Sequence, residues 1–213
     1  MNPEEIYALS QAQLRQDVFV MNELGYKRDG YFVEFGATNG KDLSNTYMLE
    51  KNFGWTGILA EPAHIWHDDL QKNRSCLLDF NCVWSKTGET VSFNEVAEAE
   101  LSTIDTFSSA DGHAAKRTSG NKYEVLTISL MDLLDKHDAP KVIDYLSIDT
   151  EGSELEILEA FNFDAYKFRT ITCEHNYTPM REKIYDLLTS HGYVRKLSDF
   201  SYFDDWYVLE EKI

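Results

Sequence analysis

Acidic, amide and imidazole side chains recur in this chain where apolar runs break off, and three such breaks hold the residues best suited to chemistry. The first is Tyr31-Phe-Val-Glu-Phe-Gly-Ala-Thr-Asn-Gly40, a strand-like run that opens into a glycine-bearing turn, with an acidic run end, Ile58-Leu-Ala-Glu61, after it. In a doubly wound α/β sheet, ligands sit at the carboxyl ends of the strands. Glycine lets the backbone approach the ligand closely, and an acidic residue about 20 positions later grips ribose hydroxyls. Gly36 and Glu61 fit those roles. The turn lacks the three-glycine dinucleotide fingerprint, so it favours a nucleoside without phosphates, such as S-adenosylmethionine, over a pyrophosphate cofactor.

The second break is Asp149-Thr-Glu-Gly-Ser-Glu154, which follows the apolar run Val142 to Ile148. Helix capping accounts for Thr150, Ser153 and Glu154. It does not account for Asp149 beside Glu151, because like charges at a strand end raise one another's pKa and cost stability unless a ligand or cation compensates. The third break, Glu174-His-Asn176, presents a carboxylate, an imidazole and an amide in succession. Two chemistries stay open for these residues. A divalent cation such as Mg2+ has candidate ligands in Asp149, Glu174 and His175, whereas a general base would be His175, with Asp149 and Glu151 at the same reactive edge.

The elements that must position these groups follow a βαβ rhythm. Ser10 to Leu24 reads as an amphipathic helix, and residues 1–28 as a helical cover over the cofactor end of the sheet. Strands are expected at Tyr31 to Phe35, Thr56 to Ala60, within Ser75 to Trp84, at Thr90 to Val96, Tyr123 to Ile128, Val142 to Ile148 and Phe168 to Cys173. Helices are expected at Asn45 to Asn52, Ala63 to Lys72, Leu130 to Lys136, Ser153 to Phe161 and Arg181 to His191. Tyr193 to Lys196 and Tyr202 to Leu209 read as a terminal hairpin. Asp204 and Asp205 read as a solvated turn within it, and Trp55, Trp84 and Trp206 as packing. Residues 97–122 lack periodicity and are long for a loop, which predicts a lid on the acceptor side.

Size and charge narrow the function classes. A chain of 213 residues, 43% hydrophobic, is expected to fold as one domain over 1–213. The formal net charge of −17, from 37 acidic and 20 basic residues, repels phosphate backbones and anionic membranes, so the expected partner is a small molecule and not nucleic acid. No apolar run approaches the roughly 20 residues of a membrane span, and the acidic start Met1-Asn-Pro-Glu-Glu is unlike a signal peptide. The reading is cytoplasmic. Cys76, Cys82 and Cys173 are odd in number and lack metal-ligand spacing, which predicts core thiols.

Four segments together resemble a known family. Phe32-Val-Glu-Phe-Gly-Ala-Thr-Asn-Gly-Lys-Asp42, Gly57-Ile-Leu-Ala-Glu-Pro62, Asp144-Tyr-Leu-Ser-Ile-Asp-Thr-Glu-Gly-Ser-Glu-Leu-Glu-Ile-Leu158 and Cys173-Glu-His-Asn176 are similar to the FkbM-type S-adenosylmethionine-dependent methyltransferases. Gln16-Asp17 also resembles a pair that often precedes the first strand in that family. The resemblance implies a Rossmann-like class I methyltransferase fold: a mostly parallel seven-stranded sheet with an antiparallel last strand and helices on both faces. It implies O-methylation of a hydroxyl on a sugar or other secondary metabolite. It also implies cofactor contacts at Glu34, Gly36, Asn39, Gly40, Glu61 and Asp149, with Asn81 and Cys82 in the segment beside the adenine. Glu34 stands where Asp is frequent in the family, and Thr38 where Asn is more usual.

An NAD-dependent oxidoreductase shares the glycine turn and acidic strand end, but the missing GxGxxG counts against it. A noncatalytic module of the same fold is the other rival. Against that stand Asp149, Glu174 and His175.

Overall fold

Each buried strand presents apolar side chains to both faces, so helices are needed on both sides of the sheet. In the computed structural model, which describes residues 3–210, helices α1 (Pro3–Leu9) and α2 (Gln16–Glu23) precede strand β1 (Tyr31–Phe35). Residues 1, 2 and 211–213 of the expected domain, and with them the start of the expected helical cover, lie outside the described residues. The helix expected from Ser10 begins only at Gln16, because Arg15 adopts a left-handed conformation (φ 68°) that a continuous right-handed helix excludes.

After β1 the chain continues through α3 (Tyr47–Phe53), β2 (Thr56–Ala60), α4 (His67–Asn73) and β3 (Leu77–Asp79). Strands β4 (Cys82–Trp84), β5 (Thr90–Glu95), β6 (Thr103–Ile104) and β7 (Asn121–Ser129) come next, then α5 (Leu130–Lys136). The final part is β8 (Val142–Ile148), α6 (Glu154–Glu159), β9 (Lys167–Glu174), α7 (Met180–Ser190), β10 (Tyr193–Lys196) and β11 (Asp204–Leu209). The main sheet has seven strands in the order β10-β11-β9-β8-β1-β2-β3. Pairings from β3 to β9 are parallel, while β11 runs antiparallel to both β9 and β10. The one reversed strand is therefore the last in the chain, wedged inside the sheet.

The two-residue period of the strands sorts the core into two layers. Val33, Phe35, Ile58, Leu146 and Ile148 pack with Leu133, Leu158 and Leu188 of α5, α6 and α7. Phe32, Leu59, Tyr145 and Trp206 pack with Val20, Met48 and Leu49 of α2 and α3. Strand order reverses between β1 and β8, the switch point where such sheets leave a crevice at their carboxyl edge.

A second sheet, β4-β7-β5-β6, was not foreseen as a separate layer. The single strand expected within Ser75 to Trp84 is split at Phe80-Asn81: β3 edges the main sheet, and β4 pairs with β7 in the second. The segment 97–122 carries β6 and short 3-10 turns at 99–101, 105–107 and 114–117. All three cysteines are free thiols, with Cys82 and Cys173 buried. Among the described residues no helix is long and apolar enough to cross a membrane.

Candidate active site

The crevice at the switch point is a cavity of about 350 Å3. Its floor is the carboxyl ends of β1, β2, β8 and β9, and Glu98 to Ser102, Ile104, His113 and Lys116 cover it from the 97–122 segment. Gly36 joins the first and second of the chemistry-bearing strand ends in space. A Cβ there would lie 1.8 Å from the carbonyl oxygen of Asp149, and its φ of +70° is one that glycine adopts at little cost. The glycine thus lets the β1 and β8 turns touch.

Glu61, at the end of β2, is 4% exposed and lines the cavity. One carboxylate oxygen accepts the amide of Thr38 and the other the amide of Ala63, both at 2.8 Å. Thr38 holds a left-handed φ of 47°, strained for a β-branched residue, so this bond secures the turn. Burial pushes the Glu61 carboxyl up to about 7 against the opposing effect of those two amides.

Glu34 also lines the cavity, yet its carboxylate is already engaged. It accepts the Asn45 amide at 2.8 Å and the hydroxyls of Ser44 and Thr46, and Arg74 lies 3.7 Å away. Ser44 Oγ in turn accepts the amides of Thr46 and Tyr47. The donors at the start of α3 are therefore occupied by the protein itself.

At the opposite wall, oxygens of Asp149, Glu151 and Glu174 all lie within 4.8 Å of one another. Burial, and then the charge of Glu151, raises Asp149 well above the usual carboxylate range, and burial with the charge of Asp149 does the same to Glu174. Burial pushes Glu151 up to about 7, with the Arg117 guanidinium pulling the other way. Arg117, whose side chain is fully buried, donates to Glu151 at 2.6 Å, to Asp111 at 2.9 Å and to the carbonyl of Leu101 at 2.7 Å. Asn176 donates to the same Glu151 oxygen at 3.1 Å.

A family model for the methyltransferase FkbM domain matches residues 34–195. The chain belongs to the FkbM family. Among solved structures it is similar to an FkbM methyltransferase from Methylobacillus flagellatus KT, at 15% identity and a TM-score of 0.55, over 97% of this chain and 50% of that one. The chain thus spans half the length of that relative, and the likeness is one of fold. A precorrin-6y C5,15-methyltransferase from Geobacter metallireducens GS-15 aligns at 14% identity and a TM-score of 0.47, over 90% of this chain and 85% of that one. A comparison with curated proteins finds no match.

This FkbM methyltransferase brings Glu34, Gly36, Glu61, Cys82, Asp149, Glu151 and Glu174 to the lining of one cavity. Asn39, Gly40 and Asn81 stand elsewhere. The Asn39 side chain closes its own turn, accepting the amides of Lys41 and Asp42 at 2.9 Å. Gly40 packs toward α4, where a Cβ would meet Leu70 and Arg74. Asn81 binds Asp79 at 2.7 Å.

His175 is a correction. Its Nδ1 accepts the amide of Tyr177 at 3.0 Å, and its Nε2 points toward Asp205, 3.8 Å away, so the ring is not part of the cavity wall or of the carboxylate cluster. Burial lowers its pKa. Asp204 and Asp205 are a second correction. They are 4% and 2% exposed on β11, where Gln16 donates to Asp204 at 2.7 Å and Arg181 and Arg195 grip Asp205. A buried strand with an amide partner on α2 and guanidinium partners on α7 and β10 had the polar look of a turn.

The sequence reading passed over Arg117 and Asn45. Arg117 sat in a tract without periodicity. Asn45 reads in the sequence only as the start of a helix.

Proposed function

We propose that this methyltransferase moves a methyl group from S-adenosylmethionine to a hydroxyl of a sugar or other small metabolite. The observation that carries the reading is the pairing of Glu61 with Glu34. Glu61 faces the cavity at the ribose-binding strand end, while Glu34 fills the amide start of α3 where a dinucleotide's pyrophosphate would need free N–H groups. Such a floor suits a nucleoside and repels a pyrophosphate, which speaks against the nicotinamide alternative. S-adenosylmethionine supplies an electrophilic methyl on a sulfonium, and the acidic walls complement that positive charge.

Within the cavity Glu61 would hold ribose hydroxyls, and Cys82 and Val83 would flank the base. Asp149, Glu151 and Glu174 sit where the acceptor must arrive from beneath the 97–122 segment. Glu151 is the residue best poised to take the acceptor's proton, because a base near pH 7 serves best when its own pKa lies there. Arg117 and Asn176 fix its orientation by binding one oxygen. A divalent cation held by Asp149 and Glu174 would serve the same end, but the Arg117 guanidinium already supplies positive charge at Glu151, the third carboxylate of the cluster, so we favour the base. A cytoplasmic setting agrees with three unpaired thiols.

Calorimetry with S-adenosylhomocysteine and NAD tests the donor. Binding of the first alone is expected, and binding of NAD alone would reverse the assignment. With an acceptor in hand, Glu151→Gln should lower turnover by roughly 10²–10⁴-fold, and a chelator should leave the parent enzyme active. Loss of activity on chelation would return the cation to the mechanism.

A further inference from the structure

Asn45 is 7% exposed, lines the cavity, and ends in a carbonyl oxygen, Oδ1, with no hydrogen-bond partner. The rest of the residue is fixed. Its backbone amide donates to Glu34 at 2.8 Å, and its Nδ2 donates to Ser147 Oγ at 2.9 Å. Ser147 is itself buried on β8, in register with Glu34 on β1. One contact from β1 thus fixes the backbone and one from β8 the side-chain amide, while its acceptor stays unpaired. A buried acceptor left unpaired is costly and uncommon, and in a cavity wall its natural complement is a ligand donor.

The position of Asn45 suggests which donor. The sheet order places β2, β1 and β8 side by side, so a nucleoside with its ribose at Glu61 and its base at Cys82 has its remaining arm directed across β1 toward β8. On that side the cavity wall carries Asp149, Glu151 and Glu174, which favour a cation. Resting on the function proposed above, we propose that the Asn45 side chain, steered by Ser147, is a specificity-determining contact for the protonated amino group of the methyl donor. This assigns donor selection to the start of α3 as well as to the glycine turn.

The test is calorimetric binding of three probes: S-adenosylhomocysteine, its analogue lacking the amino group, and 5′-methylthioadenosine. Asn45→Ala should weaken S-adenosylhomocysteine roughly 10- to 100-fold, the range of one hydrogen bond to a charged group, and leave the other two within about twofold of the parent protein. Asn45→Asp keeps an oxygen at the site and should restore binding of S-adenosylhomocysteine. Unchanged binding of 5′-methylthioadenosine shows that the variants are folded. Equal weakening of all three probes would overturn the inference by making Asn45 merely structural, as would a loss confined to S-adenosylhomocysteine that Asn45→Asp fails to restore. A parent protein that binds none of the probes would overturn the donor assignment itself.

Discussion

Replacing Arg117 with methionine keeps most of the side chain's length and removes its charge, leaving Asp111 and Glu151 without their guanidinium. Both carboxylates are almost fully buried, at 2% and 7% side-chain exposure, and the Arg117 side chain is 0% exposed, so water cannot take its place without rearrangement. Removing one partner of a buried pair costs about 3–5 kcal/mol. In a chain of this length each kcal/mol lowers the melting temperature by about 2–4 °C, so a global loss would appear as roughly 6–20 °C. A local route is also open, because Arg117 binds the two ends of the segment together through Leu101 and ties it to the β8 turn, with Thr103 adding bonds to the carbonyls of Thr150 and Glu151. Hydrogen exchange separates the two routes. We expect residues 97–122 of Arg117→Met to lose protection while β8 and β9 keep theirs. Adding Glu151→Gln removes one stranded charge and should recover part of the loss, and Arg117→Lys should fall between parent and Arg117→Met. Unchanged melting and unchanged exchange in Arg117→Met would refute the claim that this guanidinium clamps the segment to the reactive turn.

Three further outcomes are expected. Glu61→Ala should weaken S-adenosylhomocysteine at least roughly tenfold by calorimetry, since a charged hydrogen bond to ribose is worth about 1.5–3 kcal/mol; undiminished affinity in a folded variant would remove Glu61 from that role. Gly36→Ala drives a methyl into the Asp149 carbonyl, and with the left-handed φ it should destabilise by more than about 2 kcal/mol and impair ligand binding, read by thermal melting and titration. Asp17, held up to about 6 by burial, and Glu61, Glu151 and Asp204, each held up to about 7 chiefly by burial, keep protons in the folded state that the unfolded chain has already lost. Their contribution is therefore full below pH 4 and declines as pH rises from about 4 through 7. The ligand-free protein should melt several degrees lower at pH 8 than at pH 5.5, and a flat profile would contradict those burials.

The main sheet was legible because its central strands carry apolar runs that break off in glycine, acid or amide. Leu130–Lys136 and Val142–Ile148 lie where the pattern put them. The second sheet was hidden because β5 and β7 are mixed-polarity strands paired across the 97–122 segment, a long-range register that local pattern does not encode. The site divides along the same line. Gly36, Glu61, Asp149 and Glu174 could be found from strand ends alone. The direction a side chain takes could not: His175 follows Glu174 immediately, yet the backbone there binds the carbonyl of Phe203 and turns the ring toward Asp205. For Asn45 the signal is a buried amide pinned from two strands, visible only once β1 and β8 lie side by side.

The reversed strand has a consequence for how the molecule is made. Residues 204–209 pair with β9 on one side and β10 on the other, so they form an interior strand although they follow every other strand of the sheet in the sequence. Strands β3, β2, β1, β8 and β9 can assemble in the order of synthesis, while β10 has no partner in the sheet until β11 arrives between it and β9. A nascent chain halted before Asp204 would carry an unpaired edge along β9, a surface prone to pairing with other chains. Vectorial synthesis thus leaves the closing of the sheet to a late insertion, and the same insertion buries Asp204 and Asp205 beneath the carboxylate wall of the site.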